Sequence, residues 1–265
     1  MTSPDPDRRR TILALAAGLI ALTGCGDTDS ETPEPAPPPD DETPTRTEPG
    51  PGPDEPSPAM ETPHQGTGTP VPDDVVFSKP GGGEVAATRY GTGDCGVVLV
   101  PQRDRDRQSW DQYARRLDAA GFQALAIDEG EQEKAAGVLA AARYMRAERA
   151  ADPVVVIGAS VGGEAAIEAA VQDSPTIDGL VVLSPAGGQV AAETLVVPVL
   201  VLVAADDQPY TDVAEQIAAS VPGGSDLVTY AGEAHGQELL TSDHADAVRS
   251  RILTFLQSVC APEQS

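Results

Sequence analysis

Lysine is almost missing from this chain. Lys79 and Lys134 are the only two, set against 42 aspartates and glutamates and a formal net charge of −25. A surface this negative repels phosphate backbones, so nucleic acid is excluded as a partner. Aromatic residues are scarce as well, at 3% of the chain, which argues against a large aromatic-lined pocket for a long lipid. With three cysteines and three histidines, the chain shows no metal-ligand cluster and no phosphate-cradling loop, and neither metal nor cofactor is expected. Acidity with so little lysine fits adaptation to high salt or the coding bias of a high-GC genome, and the sequence leaves both open.

The apolar run TILALAAGLIAL is too short and wrongly flanked for a stable membrane span. Preceded by Arg8, Arg9 and Arg10, it reads as the hydrophobic core of an export signal over residues 1–25. The signal ends in Leu22-Thr23-Gly24-Cys25, which resembles the lipobox of prokaryotic lipoproteins. The resemblance implies cleavage before Cys25, lipidation of Cys25 and anchoring to the outer face of the cell membrane; a plain secretory signal or an uncleaved anchor is the alternative. Arg9-Arg10-Thr11-Ile12-Leu13 also resembles a twin-arginine signal, against the general secretory route.

Residues 26–73 are rich in Pro, Thr, Asp and Glu, with almost no apolar residues. Such a segment does not bury enough surface to offset its ordering entropy, and a disordered, self-repelling tether is expected. The remainder, 74–262, has the size of one domain.

Within it, apolar strand-like runs alternate with helix-like ones. Strands are expected at 75–77, 84–90, 96–100, 124–128, 153–157, 179–183, 199–204 and 227–230, with helices at 110–120, 131–149, 162–172, 211–220 and 245–259. The first strands suggest a meander. From residue 96 the order is βαβα with continuous apolar strands, which belong in a mostly parallel, doubly wound sheet buried on both faces. Ligands bind such sheets at the carboxyl ends of the strands, so chemistry is sought just past each one.

Three such places hold the right residue types. After one strand comes Gly158-Ala159-Ser160-Val161-Gly162, where a serine on a sharp strand-to-helix turn needs small residues two positions either side. After another comes Ala205-Asp206-Asp207-Gln208-Pro209, and after the last Gly232-Glu233-Ala234-His235-Gly236. A serine hydroxyl needs a base within hydrogen-bond reach, and an ionised carboxylate orients that base. His235 is better placed for this than His64, in the tether, or His244, near the start of the last helix.

The order serine, acid, histidine, each just past a buried strand, resembles the α/β-hydrolase family over about residues 75–260. The resemblance implies an α/β-hydrolase fold with a catalytic triad of Ser160, Asp207 and His235. Asp207 is favoured over Asp206 because the family acid is usually the second carboxylate of such a pair. Asp128, at the same sheet edge, is expected to be structural or loop-capping. The oxyanion hole would use the backbone N–H of Val161 and, by position after the strand 96–100, that of Arg103. Here the chain departs from the family, with Pro101-Gln102 where His-Gly is usual. Arg103, Arg105 and Arg107 in this loop either bind an acidic group or are simply solvated.

The gap between strands 179–183 and 199–204 holds no lid domain. The implied function is a compact serine hydrolase, similar to small esterases and dienelactone hydrolases, cleaving carboxylic esters of small or exposed acyl groups. Acyl transfer, or a catalytically silent binding lipoprotein on the same fold, are the alternatives. A small-molecule ester is the expected partner, and a monomer the expected state. Finally, Cys95 lies at the amino end of strand 96–100, and the last helix should return Cys260 to that side of the sheet. Export permits a Cys95–Cys260 disulfide; two unrelated thiols is the other reading.

Overall fold

The computed structural model describes residues 72–128 and 134–261. The expected export signal, the expected lipid attachment at Cys25, His64 and all but the last two residues of the expected tether lie outside that range. No helix among the described residues is long and apolar enough to cross a membrane.

Eight strands form one sheet in the order β1-β2-β4-β3-β5-β6-β7-β8. They are β1 (Asp73–Ser78), β2 (Glu84–Tyr90), β3 (Gly96–Val100), β4 (Gln123–Ile127), β5 (Val154–Ala159), β6 (Gly179–Leu183), β7 (Val199–Ala204) and β8 (Asp226–Tyr230). The first two are antiparallel to their neighbours, and β3 to β8 all run parallel. The helices are α1 (Asp111–Ala119), α2 (Lys134–Arg149), α3 (Val161–Gln172), the four-residue α4 (Gln189–Ala192), α5 (Tyr210–Ser220) and α6 (Ala245–Cys260).

Every residue of β3 to β7 is buried, as their unbroken Val, Leu, Ile and Ala runs require of strands covered on both faces. Alternate side chains feed two cores. One lies between the sheet and α2, α3, α4 and α5, and the other between the sheet and α1 and α6. The edge strands β1 and β8 are only partly covered and carry polar residues accordingly.

The expected meander is correct only for its first turn. β2 pairs with β4 rather than with β3, and β3 lies between β4 and β5. The reason is burial. All five residues of β3 are apolar or glycine and inaccessible, whereas β2 carries Glu84, Thr88 and Arg89 and suits a position nearer the edge. β4 stops one residue short of expectation. Asp128 leaves the sheet after its N–H bonds to Ala86 O at 2.9 Å, freeing its carboxylate for the loop described below. Between β6 and β7 stands only the single turn α4, with no inserted lid.

At the opposite end of the sheet, Cys95 and Cys260 are joined, with Cα atoms 5.8 Å apart. This is within the span a disulfide bridges. α6 starts near the carboxyl edge and runs back along the sheet, which brings its last residue beside the start of β3.

Candidate active site

The parallel strands open their carboxyl ends on one edge, and three of the loops there carry the residues of interest. Ser160 follows β5 directly and precedes α3. Its backbone, φ 52° and ψ −117°, is in a region that side-chain-bearing residues seldom occupy, at a typical cost of roughly 1–3 kcal/mol. The turn survives because its backbone is heavily bonded. Ser160 N–H donates to Leu183 O at 2.8 Å, and Ser160 O accepts from Gly163, Glu164 and Ala186 N–H at 2.9, 3.2 and 3.1 Å.

The two flanking glycines are required by contact. A β-carbon on Gly158 would lie 2.3 Å from Gly162 O, and one on Gly162 would lie 2.5 Å from Pro101 O. The serine turn therefore packs backbone to backbone against the loop that follows β3. α3 begins at Val161, so its first N–H groups have no intrahelical acceptor and face the serine end of the helix.

β7 delivers Asp206 and Asp207, and they separate cleanly. Asp206 is exposed, whereas Asp207 is 7% exposed. The Asp207 carboxylate meets His235 Nδ1 with one oxygen at 2.9 Å and the other at 3.1 Å. That contact holds the His235 proton on Nδ1 and leaves Nε2 free to accept. Tyr210, the first residue of α5, stacks obliquely on the His235 ring, with centroids 4.1 Å apart. The β8 loop also reaches the serine turn, since a β-carbon on Gly236 would lie 3.5 Å from Ala159 Cβ. His244 is engaged elsewhere, against Tyr230 with ring centroids 5.7 Å apart.

The loop after β3, from Pro101 to Asp106, is fixed at both ends. At its far end Arg107 N–H donates to Asp128 Oδ1 at 2.9 Å, and the Arg107 guanidinium pairs with the same carboxylate and with Asp74. Burial pulls the Arg107 pKa down, but Asp128 and Asp74 outweigh it and hold the group above its ordinary value. At the near end Gln102 meets Gln237 in a reciprocal pair. Gln102 N–H donates to Gln237 Oε1 at 3.2 Å, and Gln237 N–H donates to Gln102 Oε1 at 2.8 Å. Gln237 Nε2 continues to Ser109 Oγ at 2.9 Å.

The three arginines of this loop thus have different fates. Arg107 is tied to Asp128, Arg105 makes a loose exposed pair with Glu238 at 3.4 Å, and the Arg103 side chain is exposed. The Arg103 N–H has no backbone or side-chain acceptor among the described residues. The described residues contain no group of three or more histidines, cysteines or carboxylates able to hold a metal.

Ser160, Asp207, His235, Val161 and Arg103 therefore all stand at one edge of the sheet. Neither Tyr210 nor the Gln102–Gln237 pair is marked in the sequence. A tyrosine three residues past the acid is a weak signal, and two glutamines 135 residues apart give none.

No family model matches the sequence, and no curated protein matches it. Solved structures do match in fold. A dienelactone hydrolase from Anabaena variabilis is 20% identical, with a TM-score of 0.60 over 71% of this chain and 97% of that one. The carboxylesterase EstE1, cloned from a metagenomic library, is 17% identical, with a TM-score of 0.62 over 74% and 91%. An esterase from Pyrobaculum calidifontis is also 17% identical, with a TM-score of 0.61 over 73% and 87%. The chain has the α/β-hydrolase fold.

Proposed function

We propose that this protein is a serine hydrolase that cleaves carboxylic esters of small or exposed acyl groups. The observation that carries the reading is the His235 Nδ1 contact with the buried Asp207 carboxylate, at the sheet edge where Ser160 occupies a strained turn. The esterases and dienelactone hydrolase of similar fold support it.

The chemistry proceeds in two halves. His235 Nε2 takes the Ser160 proton as Oγ attacks the ester carbonyl carbon. The carbonyl electrons move onto oxygen, and the N–H groups of Val161 and Arg103 stabilise that oxyanion. The tetrahedral species collapses, the C–O bond to the alcohol breaks, and His235 returns the proton to the leaving oxygen. Water then repeats the sequence on the acyl-serine, releasing the acid. Asp207 keeps the imidazole in its productive tautomer and stabilises the imidazolium, remaining ionised throughout.

The test is labelling by a fluorophosphonate probe together with turnover of a short-chain aryl ester. The wild type should label and turn over, and Ser160→Ala should do neither. A wild type that binds esters but does not label would favour a silent binding protein on the same fold, the reading that the Pro101-Gln102 departure invites. Acyl transfer to an acceptor other than water uses the same first half and is distinguished by product analysis.

The export signal and Cys25 lead us to propose further that the domain is held at the outer face of the cell membrane by lipid, on an acidic tether. Cys25→Ser should lose lipid labelling and move to the soluble fraction. Limited proteolysis should cut within 26–71 and leave an active domain; a protected tether would contradict this.

A further inference from the structure

We infer that Gln102 and Gln237 form a reciprocal clamp that locks the oxyanion loop to the histidine loop, and that Gln237 is a positioning residue for the second oxyanion donor. The inference rests on the hydrolase reading for its catalytic consequence, but the clamp itself is geometric.

Three observations combine. First, the two bonds are mutual. Each residue's backbone N–H is received by the other's side-chain oxygen, so each side chain holds the partner's backbone and the two loops stay joined through two separate bonds. Second, the pair is set directly beside the proposed base. The place a β-carbon on Gly236 would occupy is 2.5 Å from Gln102 Oε1, so the carboxamide lies flush on the backbone between His235 and Gln237. Third, the clamp accounts for the donors of the loop. Pro101 has no N–H, and Gln102 N–H is engaged by Gln237. Among the described residues Arg103 N–H alone of these three is left without an acceptor, next to the serine turn that touches Pro101.

A glycine at 102 would ease backbone approach but supply no side-chain oxygen. This chain instead places a glutamine there and holds it from across the site. Gln237 is 6% exposed, and its remaining amide hydrogens are directed toward Ser109 by the 2.9 Å bond, which fixes which end of the carboxamide faces Gln102. A preorganised donor gains its value in the transition state, when charge develops on the carbonyl oxygen. Loss of the clamp should therefore lower kcat more than it raises KM.

The experiment uses the full chain and the variants Gln237→Met and Gln102→Met, which keep side-chain bulk. Alanine at 237 is avoided because a cavity of about 100 Å³ adjoins Gln237 and Ser109, and water would enter. Two readouts are taken: the rate of fluorophosphonate labelling with aryl-ester kcat and KM, and amide hydrogen exchange of the segment 102–106. Each variant should label and turn over roughly 10–100-fold more slowly with KM changed less than about threefold. The double variant should be worse than either single one, because each methionine removes one of the two bonds and leaves the partner's oxygen to accept the other. Gln102→Glu, which keeps an oxygen for Gln237 N–H, should recover part of the loss. Exchange in 102–106 should accelerate in both methionine variants and not in Ser160→Ala.

Unchanged exchange would overturn the clamp. Faster exchange with unchanged labelling would overturn the positioning role. A wild type that fails to label would defeat the hydrolase reading and with it the catalytic half of the inference, while exchange would still decide the clamp. Should Gln237→Met fail to fold, the half-exposed Gln102→Met supplies both readouts.

Discussion

Pro101 and Gly162 touch through their backbones: a β-carbon on Gly162 would stand 2.5 Å from Pro101 O and 2.7 Å from Val100 O. Backbone oxygens have no rotamer by which to withdraw, so the serine turn and the oxyanion loop are built as one rigid contact. Gly162→Ala and Gly158→Ala are therefore expected to destabilise the domain by about 2–3 kcal/mol or more, as overpacking against fixed atoms does, and to abolish esterase turnover. Gly223→Ala is the control, since nothing lies within 4 Å of its added carbon. Urea denaturation of the three variants checks this, and a Gly162→Ala protein of wild-type stability would contradict it.

The two adjacent carboxylates should separate as sharply in kinetics as in burial. Asp207→Asn removes the anion facing His235 Nδ1 and invites the wrong tautomer, so kcat should fall by about 10⁴-fold. Asp206→Asn changes an exposed group and should leave kcat within about twofold. The reverse ranking in aryl-ester turnover would overturn the acid assignment without touching Ser160.

How much of this is legible before folding depends on distance along the chain. The strands β3 to β7 can be read because burial on both faces leaves nearly uninterrupted Val, Leu, Ile and Ala runs, whereas β8, expected to be buried in the same way, is a partly covered edge strand. The positions of Ser160, Asp207 and His235 follow, because parallel strands bring their carboxyl ends to one edge. The pairing of β2 with β4 is not readable. Strand order depends on which edge tolerates Glu84 and Arg89, a tertiary preference no local window records. The Gln102–Gln237 pair is hidden for a similar reason, with 135 residues between partners and no periodicity to mark either. Asp128 is an intermediate case. Its place after a strand is visible, but its ion pair with Arg107 needs the fold to bring the two loops together.

That ion pair secures the far end of the oxyanion loop. Asp128→Ala would strand the Arg107 backbone N–H and leave a guanidinium only 18% exposed with Thr88 and the more distant Asp74. A half-buried, hydrogen-bonded charge that loses its nearer carboxylate costs more than a surface pair. A loss of about 1–3 kcal/mol in stability is expected, with turnover reduced through loosening of 102–106. Asp74→Ala, whose carboxylate is 68% exposed and 3.6 Å away, should lower the melting temperature less than Asp128→Ala does. Equal effects in thermal denaturation would show that Asp128 has no special part in holding the loop.

Tyr210 leans on the His235 ring, with centroids 4.1 Å apart. Its ring, not its hydroxyl, makes the contact, so Tyr210→Phe should keep kcat within about twofold. Tyr210→Ala frees the imidazole to rotate and admits water beside the carboxylate. An aromatic contact of this kind is worth about 0.5–1.5 kcal/mol, so kcat should fall about 2–13-fold with little change in KM. A larger loss in Tyr210→Phe than in Tyr210→Ala would assign the role to the hydroxyl instead.

The Cys95–Cys260 bond should affect stability and leave chemistry alone. It joins residues 165 apart in sequence, so it closes nearly the whole domain into one loop. In the chain-entropy account such a loop restricts the unfolded ensemble by up to about 5 kcal/mol. The bond lies at the amino end of β3, across the sheet from Ser160, so the catalytic loops do not depend on it for position. Cys95→Ala, Cys260→Ala and the double variant should show nearly the same drop in melting temperature, because each opens the same loop. Their turnover at a temperature well below melting should match the wild type. Reduction by dithiothreitol should reproduce the drop in the wild type and add nothing in the variants. Two free thiols in the intact mass of the protein purified without reductant, or a wild type whose melting does not respond to reduction, would show that the bond does not form.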